Sequence, residues 1–287
     1  MRMNYTKAKC QTVNLVIIVI IITFYILLDI FLATTLGGGE AIVPFVVIQL
    51  LVFLVAISPF GENVLRLIYK CRGVLTNREK EALLPLFESV YDDMQEEFPE
   101  IQEHGIQLYI DDSGIPNAFA LGRGTIAVSK GALEIMTQDE LRGILAHELG
   151  HLTHYDTFIP LTLIVGNVTM FIFMLVGKFA LLIGKITESI IGNRGLTTIL
   201  EFLGKGIYAI FVGIFTLIIM AINRQAEYWA DEFAVKIGYG TELVNALYKL
   251  NNIGYADNLI TIIDRLKSSH PMITQRIAKL ESFIDEE

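Results

Sequence analysis

The run His147-Glu148-Leu149-Gly150-His151 sets two imidazoles and a carboxylate where metal-assisted hydrolysis needs them. Positions four apart lie on one face of a helix with 3.6 residues per turn, so His147 and His151 can both reach one ion. Glu148, next to the first histidine, can hold a water at that ion and serve as its base, which is the physical content of the H-E-x-x-H zinc pattern. The local sequence favours a helix. Thr137-Gln138-Asp139-Glu140 reads as a capping box, and Leu141, Ile144, Leu145 and Leu149 follow at helical spacing. The competing reading is a pair of satisfied histidines on a half-buried helix.

A hydrolytic zinc site needs a third protein ligand and an open position for water. His154 does not fit, because seven residues from His147 is about 10 Å along a helix axis, whereas Zn–N bonds are about 2.0 Å. It reads as a surface or interfacial histidine. Position 157, where one zincin variant carries a third histidine, is Thr157. The better candidate is Glu227, in Arg224-Gln225-Ala226-Glu227-Tyr228-Trp229-Ala230-Asp231. Glu227 and Asp231 are four apart and share a helix face. One can bind metal while the other accepts a bond from a ligand histidine's free N–H and so fixes its tautomer.

The elements that must position these groups include membrane helices. Of 287 residues 53% are hydrophobic, and the mean hydropathy of +0.53 is too apolar for an ordinary soluble domain. Four apolar runs, at about 13–35, 41–60, 158–183 and 197–222, read as two membrane hairpins. The first run follows a basic start, as secretory signals do, but it is longer than their apolar core and long enough to span. Whether the third and fourth runs cross fully or form a shallow hairpin stays open. Arg2, Lys7 and Lys9 precede the first hairpin and Arg66, Lys70 and Arg72 follow it, which puts both flanks on the cytoplasmic side. Asp29 lies near the far end of its span and reads as a hydrated interfacial residue. Cys10 and Cys71 flank the hairpin on one side and read as reduced thiols. The net charge of −9 speaks against nucleic acid as a partner.

The chain therefore divides into a membrane hairpin (1–60), a catalytic part carrying the H-E-x-x-H helix (61–156), a second hairpin (157–222) and a catalytic part with the third ligand (223–287). Residues 76–98 read as an amphipathic helix capped by Thr76 and Glu79, with Leu83, Leu84, Phe87, Val90, Tyr91 and Met94 inward. Ile106 to Ile110 alternates as a strand, Asn117 to Gly122 reads as a second extended piece, and Thr125 to Val128 as a third. A small sheet thus precedes the zinc helix. A protease can hold its peptide by adding it to a sheet edge, and 117–122 is the candidate edge; a buried strand with no substrate role is the alternative.

In these motifs the chain resembles the HtpX-type membrane zinc metalloproteases, which are related to the CAAX prenyl proteases. The resemblance rests on His147-Glu148-x-x-His151, Asn117-Ala118-Phe119-Ala120, the E-x-x-x-D core of Arg224 to Asp231, His270-Pro271 with Arg276, and the four-run arrangement. Asn223, where the family often has Ser, and Gly150 are departures. The resemblance implies one zinc per chain held by His147, His151 and Glu227, with Glu148 as catalytic acid and base. It implies Asp231 behind the ligands and Asn117, Ala118, Phe119 and Ala120 along the substrate. It puts His270 and Arg276 near the active site, where they would stabilise the oxyanion or order Asp231.

The expected fold class is α+β: a multi-pass helical membrane protein with a cytoplasmic zincin-like domain and a small sheet. The expected function is zinc-dependent endopeptidase activity on membrane or misfolded proteins, in membrane-protein quality control. By helix rise the site lies on the order of 10 Å from the hydrocarbon edge. The expected setting is the cell membrane, with the lipid bilayer as a partner and both termini and the active site cytoplasmic. The rival readings are an intramembrane-cleaving protease and a non-catalytic zinc-binding scaffold.

Overall fold

The computed structural model describes residues 7–36, 40, 42–73, 76–99, 105–159, 161–162, 178–179, 182–187, 189, 223–256 and 272–285. The apolar runs 158–183 and 197–222 lie almost wholly outside these residues, as do His270 and the surroundings of Asp29.

The chain opens with α1 (Lys7–Leu36) and α2 (Ile42–Ala56), which pack on one another. Within α1, Lys9–Leu27 is long and apolar enough to cross a membrane. The second run departs from expectation, because it is not one continuous helix to residue 60. It breaks at Ile57-Ser58, and α3 (Pro59–Ile68) leaves at 73°. Ser58 caps α3 and Pro59 opens it, the residue pair that most favours starting a new helix. The 15 residues of α2 reach about 22 Å, most but not all of a hydrocarbon core of about 30 Å, and the 73° bend takes α3 off the axis of α2.

The strands follow: β1 (Cys71–Gly73), β2 (Gln107–Asp111), β3 (Ala118–Leu121) and β4 (Thr125–Ser129), in the order β1-β2-β4-β3. Three of them fall on the expected extended pieces; β1 was not anticipated. β4 is buried throughout, paired parallel with β2 and antiparallel with β3. β3 is half-buried and stands at the sheet edge.

Between β1 and β2 lies α4 (Asn77–Glu97), opened by the expected capping box of Thr76 and Glu79. Its buried residues are Leu83, Leu86, Val90 and Met94, whereas Leu84 faces outward. After β4, Ser129 caps α5 (Lys130–Ile135), and Thr137 with Glu140 forms the capping box of α6 (Gln138–His154). The C-terminal part supplies α7 (residues 223–236), α8 (Gly240–Ala256) and α9 (Ile273–Ile284).

Helix α6 is the centre of the core, with α4, α8 and the sheet against it. Leu145, Leu149 and Leu152 on α6, Met94 on α4, Ile110 on β2, Phe233 on α7 and Leu243 on α8 are all but inaccessible to solvent. Two glycines set how closely the helices approach. A Cβ at Gly143 would stand 2.3 Å from the backbone nitrogen of Leu243, and one at Gly150 would stand 3.0 Å from Cα of Ala230. The two lie two turns apart on one side of α6. The second brings α7 close where it carries Glu227 and Asp231.

Candidate metal centre

The last two turns of α6 point His147 and His151 at α7. Their rings stand edge to face with centroids 4.7 Å apart. Nε2 of His147 lies 3.1 Å from Nε2 of His151. From Glu227, Oε2 lies 3.5 Å from Nε2 of His147 and Oε1 lies 3.6 Å from Nε2 of His151. Three potential ligand atoms fall within 4.8 Å of one another, and among the described residues these three side chains form the group able to hold a metal ion. The donor set fits zinc. Ligands at 2.0–2.1 Å around a tetrahedral centre stand about 3.3 Å apart, close to the three separations here. Glu148, between the two histidines in sequence, is also buried.

Each histidine has a carboxylate behind it. Nδ1 of His147 lies 3.0 Å from Oδ1 of Asp231. Nδ1 of His151 lies 3.0 Å from Oδ2 of Asp156. Both contacts let Nδ1–H donate to the carboxylate and leave Nε2 lone pairs aimed at the common point. The Arg276 guanidinium is 3.3 Å from Nδ1 of His147, but the nitrogen cannot donate to Asp231 and accept from Arg276 at once. The shorter carboxylate contact takes the proton, and the guanidinium lies alongside.

Arg276, from the first turn of α9, joins the set. Its Nε donates to Oδ2 of Asp231 at 2.9 Å, Nη2 donates to Oδ1 at 2.6 Å, and Nη1 lies 2.8 Å from Oε2 of Glu227. The fork is bidentate and buried. One guanidinium therefore orders both the carboxylate that orients His147 and the carboxylate that faces the two imidazoles.

Charges shift accordingly. Burial pushes the Asp231 carboxyl up, but Arg276 and His147 pull it down further, so it stays ionised. Burial works against the Arg276 charge, and Asp231 and Glu227 more than offset it. Burial and Arg276 also disfavour a charged His147, yet Asp231 and Glu227 raise its pKa. For His151, burial is outweighed by Asp156, Glu227 and Glu148, and the pKa is pushed up to about 10. Four carboxylates around two imidazoles make a site that attracts positive charge, from protons or from a cation.

Several sequence expectations meet here, and others do not. The structure brings together His147, Glu148, His151, Glu227, Asp231 and Arg276. Ala118, Phe119 and Ala120 lie on edge strand β3, which packs against α6, and Asn117 precedes it with its side chain exposed. His154 is not a surface histidine. It is fully buried, with its ring edge-on to Phe233 at 5.7 Å, because α1 and α7 cover the end of α6. Its carbonyl accepts from Nδ2 of Asn14 at 2.9 Å, and that of Thr153 accepts from Nε2 of Gln11 at 2.7 Å. Asp156 was missed. The available signal was an acid just beyond the helix end, where Tyr155 turns the chain back with φ 63°.

Residues 88–284 match the family described as peptidase family M48. The chain belongs to this family. Its relatives in M48 include proteins described as "Protease HtpX homolog", as the motif resemblance implies. The chain is 36% identical over 183 residues to that of Neisseria meningitidis serogroup B, covering 58% of this chain and 62% of the other. It is 32% identical over 203 residues to that of Sulfurihydrogenibium sp., covering 61% and 67%, and 33% over 198 residues to that of Aquifex aeolicus, covering 61% and 64%. The match therefore spans somewhat under two thirds of the Neisseria relative's length. The crystal structure of S. mikatae Ste24p superposes with a TM-score of 0.54 at 18% identity, covering 90% of this chain and 62% of that one. That likeness concerns the fold: a largely helical M48 architecture around a small mixed sheet.

Proposed function

We propose that this M48 chain is a membrane-bound, zinc-dependent endopeptidase that cleaves membrane or misfolded proteins at the cytoplasmic face, in the service of membrane-protein quality control. The observation that carries the reading is the convergence of His147, His151 and Glu227 beside Glu148, at separations matching a tetrahedral zinc site.

Zinc bound there supplies a Lewis acid that polarises the scissile carbonyl and lowers the pKa of water to about 7. The chain does the rest. Glu148 takes the proton of the attacking water and returns it to the leaving amine. Asp231 and Asp156 hold the two imidazoles in the tautomer that leaves Nε2 free. Arg276 pairs with both Asp231 and Glu227 and fixes their positions. The exposed edge of β3, with Asn117, Ala118, Phe119 and Ala120, receives the substrate backbone as an added strand. His270, six positions before Arg276 in the sequence, is the proposed oxyanion donor.

The membrane part of the reading rests on α1 and on charge. Lys9–Leu27 has a mean hydropathy of 2.4. Gln11 and Asn14, near the start of that stretch, donate to the last carbonyls of α6, which supports a site near the bilayer surface. Basic residues flanking α1 to α3 support a cytoplasmic face. The proposed partners are protein substrates, membrane proteins above all.

The test is casein cleavage by detergent-purified protein stripped of metal and then given zinc, beside Glu148→Gln. Zinc restores cleavage in the wild type, and the variant loses about 10²- to 10⁴-fold in rate while still binding about one zinc per chain. A variant as active as the wild type would remove Glu148 from the chemistry. Bound zinc with no cleavage by either protein would favour a scaffold.

A further inference from the structure

Helix α3 presents three different faces. Gly61, Glu62 and Leu65 are buried against the rest of the protein. Asn63 and Arg66 form a polar flank, with Arg66 Nη1 donating to Oδ1 of Asn63 at 3.0 Å. Phe60, Val64, Leu67 and Ile68 are 66%, 38%, 78% and 66% exposed. At 100° per residue these four fall within an arc of about 100°, the width of an amphipathic helix's apolar stripe. The stripe points away from the protein's own core.

The buried face holds the turn between β3 and β4. The Glu62 carboxylate accepts from the hydroxyl of Thr125 and, at 3.1 Å, from the backbone N–H of Arg123. Arg66 donates to Thr125 Oγ1 at 2.7 Å and to Glu62 at 2.8 Å. Tyr69, just beyond α3, packs on Phe119 of β3 with ring centroids 5.6 Å apart. A Cβ at Gly122, whose φ is +57°, would stand 2.8 Å from the Glu62 carboxyl carbon, so the fit of turn to helix requires glycine there. The edge strand is thus fixed to α3 at the turn and along one side chain.

What covers the apolar stripe is indicated by its neighbour. Apart from the buried Gln49, helix α2 is apolar, with Val43, Ile48, Leu51 and Leu54 each more than half exposed. A helix of that kind belongs in lipid. Only Ile57 and Ser58 separate it from α3, and the 73° bend turns α3 towards the membrane plane when α2 runs along the normal. Phe60 and Tyr69 stand near the two ends of α3, where aromatic rings favour the headgroup level, and Lys70 is exposed just beyond.

We propose that α3 is an interfacial helix whose Phe60–Ile68 stripe lies at the headgroup–acyl boundary, and that through Glu62 it holds the β3 edge at the membrane surface. The first half stands on geometry alone. The second rests on the protease reading and deepens it: the favoured substrates are extended segments emerging directly from a bilayer, presented at the height of β3.

Two measurements on the full chain in lipid nanodiscs test this. The protein has one tryptophan, so the emission added by Leu67→Trp reports position 67. That emission is expected to be quenched by phosphatidylcholine brominated near the headgroup end of its acyl chains, more than by lipid brominated near the chain ends or by aqueous acrylamide. Quenching by acrylamide alone, or by neither, would overturn the placement; the second result would mean a protein cover, whether a second copy or another part of the chain. Next, Leu67→Glu with Ile68→Glu is expected to slow cleavage of a substrate anchored by one transmembrane helix by about tenfold or more, through misplacement of the edge relative to the bilayer. Zinc content and cleavage of a short soluble peptide should stay within about twofold of wild type. Equal loss on both substrates, or on neither, would overturn the presenting role. A wild type that cut neither substrate would sink the protease reading, while lipid quenching would still decide where α3 lies.

Discussion

The two histidines of α6 are chemically equivalent ligands held in different ways. His147 is backed by Asp231, 84 positions further along the chain, and Asp231 is locked by the buried fork of Arg276 from a third helix. His151 is backed by Asp156, five positions on, delivered by the left-handed turn at Tyr155 that ends its own helix. The His147 side is the drier one, with 6% and 1% side-chain exposure for the histidine and its carboxylate, against 15% and 5% on the other side. One half of the site is therefore a tertiary product, assembled only when α6, α7 and α9 are packed together. The other half comes with the helix end. The difference predicts that the first half carries more of the coupling between metal binding and folding than the second.

The largest break in that comparison comes from Arg276→Met. It leaves Asp231 and Glu227 buried without their cation, and removing one partner of a buried pair costs on the order of 3–5 kcal/mol. Denaturant unfolding of the metal-free protein should show that loss. Zinc should return part of it, because the ion supplies positive charge beside Glu227. A variant as stable as wild type without metal would mean that the network is not a folding element.

Next in size is Asp231→Asn. The amide keeps the shape but removes the charge and the fixed acceptor behind His147. Zinc affinity should fall by about 100-fold, the upper end for loss of an orienting partner. Asp156→Asn, on the wetter and local side, should cost about tenfold in zinc affinity, lowering the stability of the zinc-loaded protein by only the corresponding ~1.4 kcal/mol. Competition with a chromogenic chelator reads both. Equal losses would erase the distinction between the two sides.

The sequence foretold what local chemistry controls. The capping boxes at Thr76 and Thr137 and the extended pieces that become β2, β3 and β4 stand where their side-chain types put them. The pairing of Glu227 with Asp231 was readable from helical spacing; the two apolar runs that separate it from the histidines in sequence lie almost wholly outside the described residues. What was missed depends on neighbours. His154 looks like a solvated residue until α1 and α7 cover it. β1 is three residues long and exists because Cys71 to Gly73 pairs with Tyr109 to Asp111. Leu84 and Leu86 are equal in composition, and only the rotation of α4 against α6 decides which is buried. The break before α3 was in plain view as Ser58-Pro59, but the apolar run around it masked the cap.

The smallest effect is a pH dependence of the metal-free protein. Burial disfavours a charged His151, but Asp156, Glu227 and Glu148 outweigh it and push the pKa up to about 10, against about 6.5 for an ordinary histidine. A pKa raised in the folded state contributes stability that is complete below the unfolded value and is lost as pH rises through the folded one. Without metal, stability should therefore decline between about pH 6.5 and 10, and His147, shifted in the same direction, adds to the slope. With zinc bound, both imidazoles are held neutral by coordination and that decline should vanish. The slope also separates the two halves of the site. Asp156→Asn removes the largest of the favourable influences on His151, so it should flatten the decline in the metal-free protein, whereas the loaded protein has no such decline to flatten. Thermal melts across this range, with and without chelator, decide the matter; a slope unchanged by Asp156→Asn would mean that Asp156 does not govern the charge of His151.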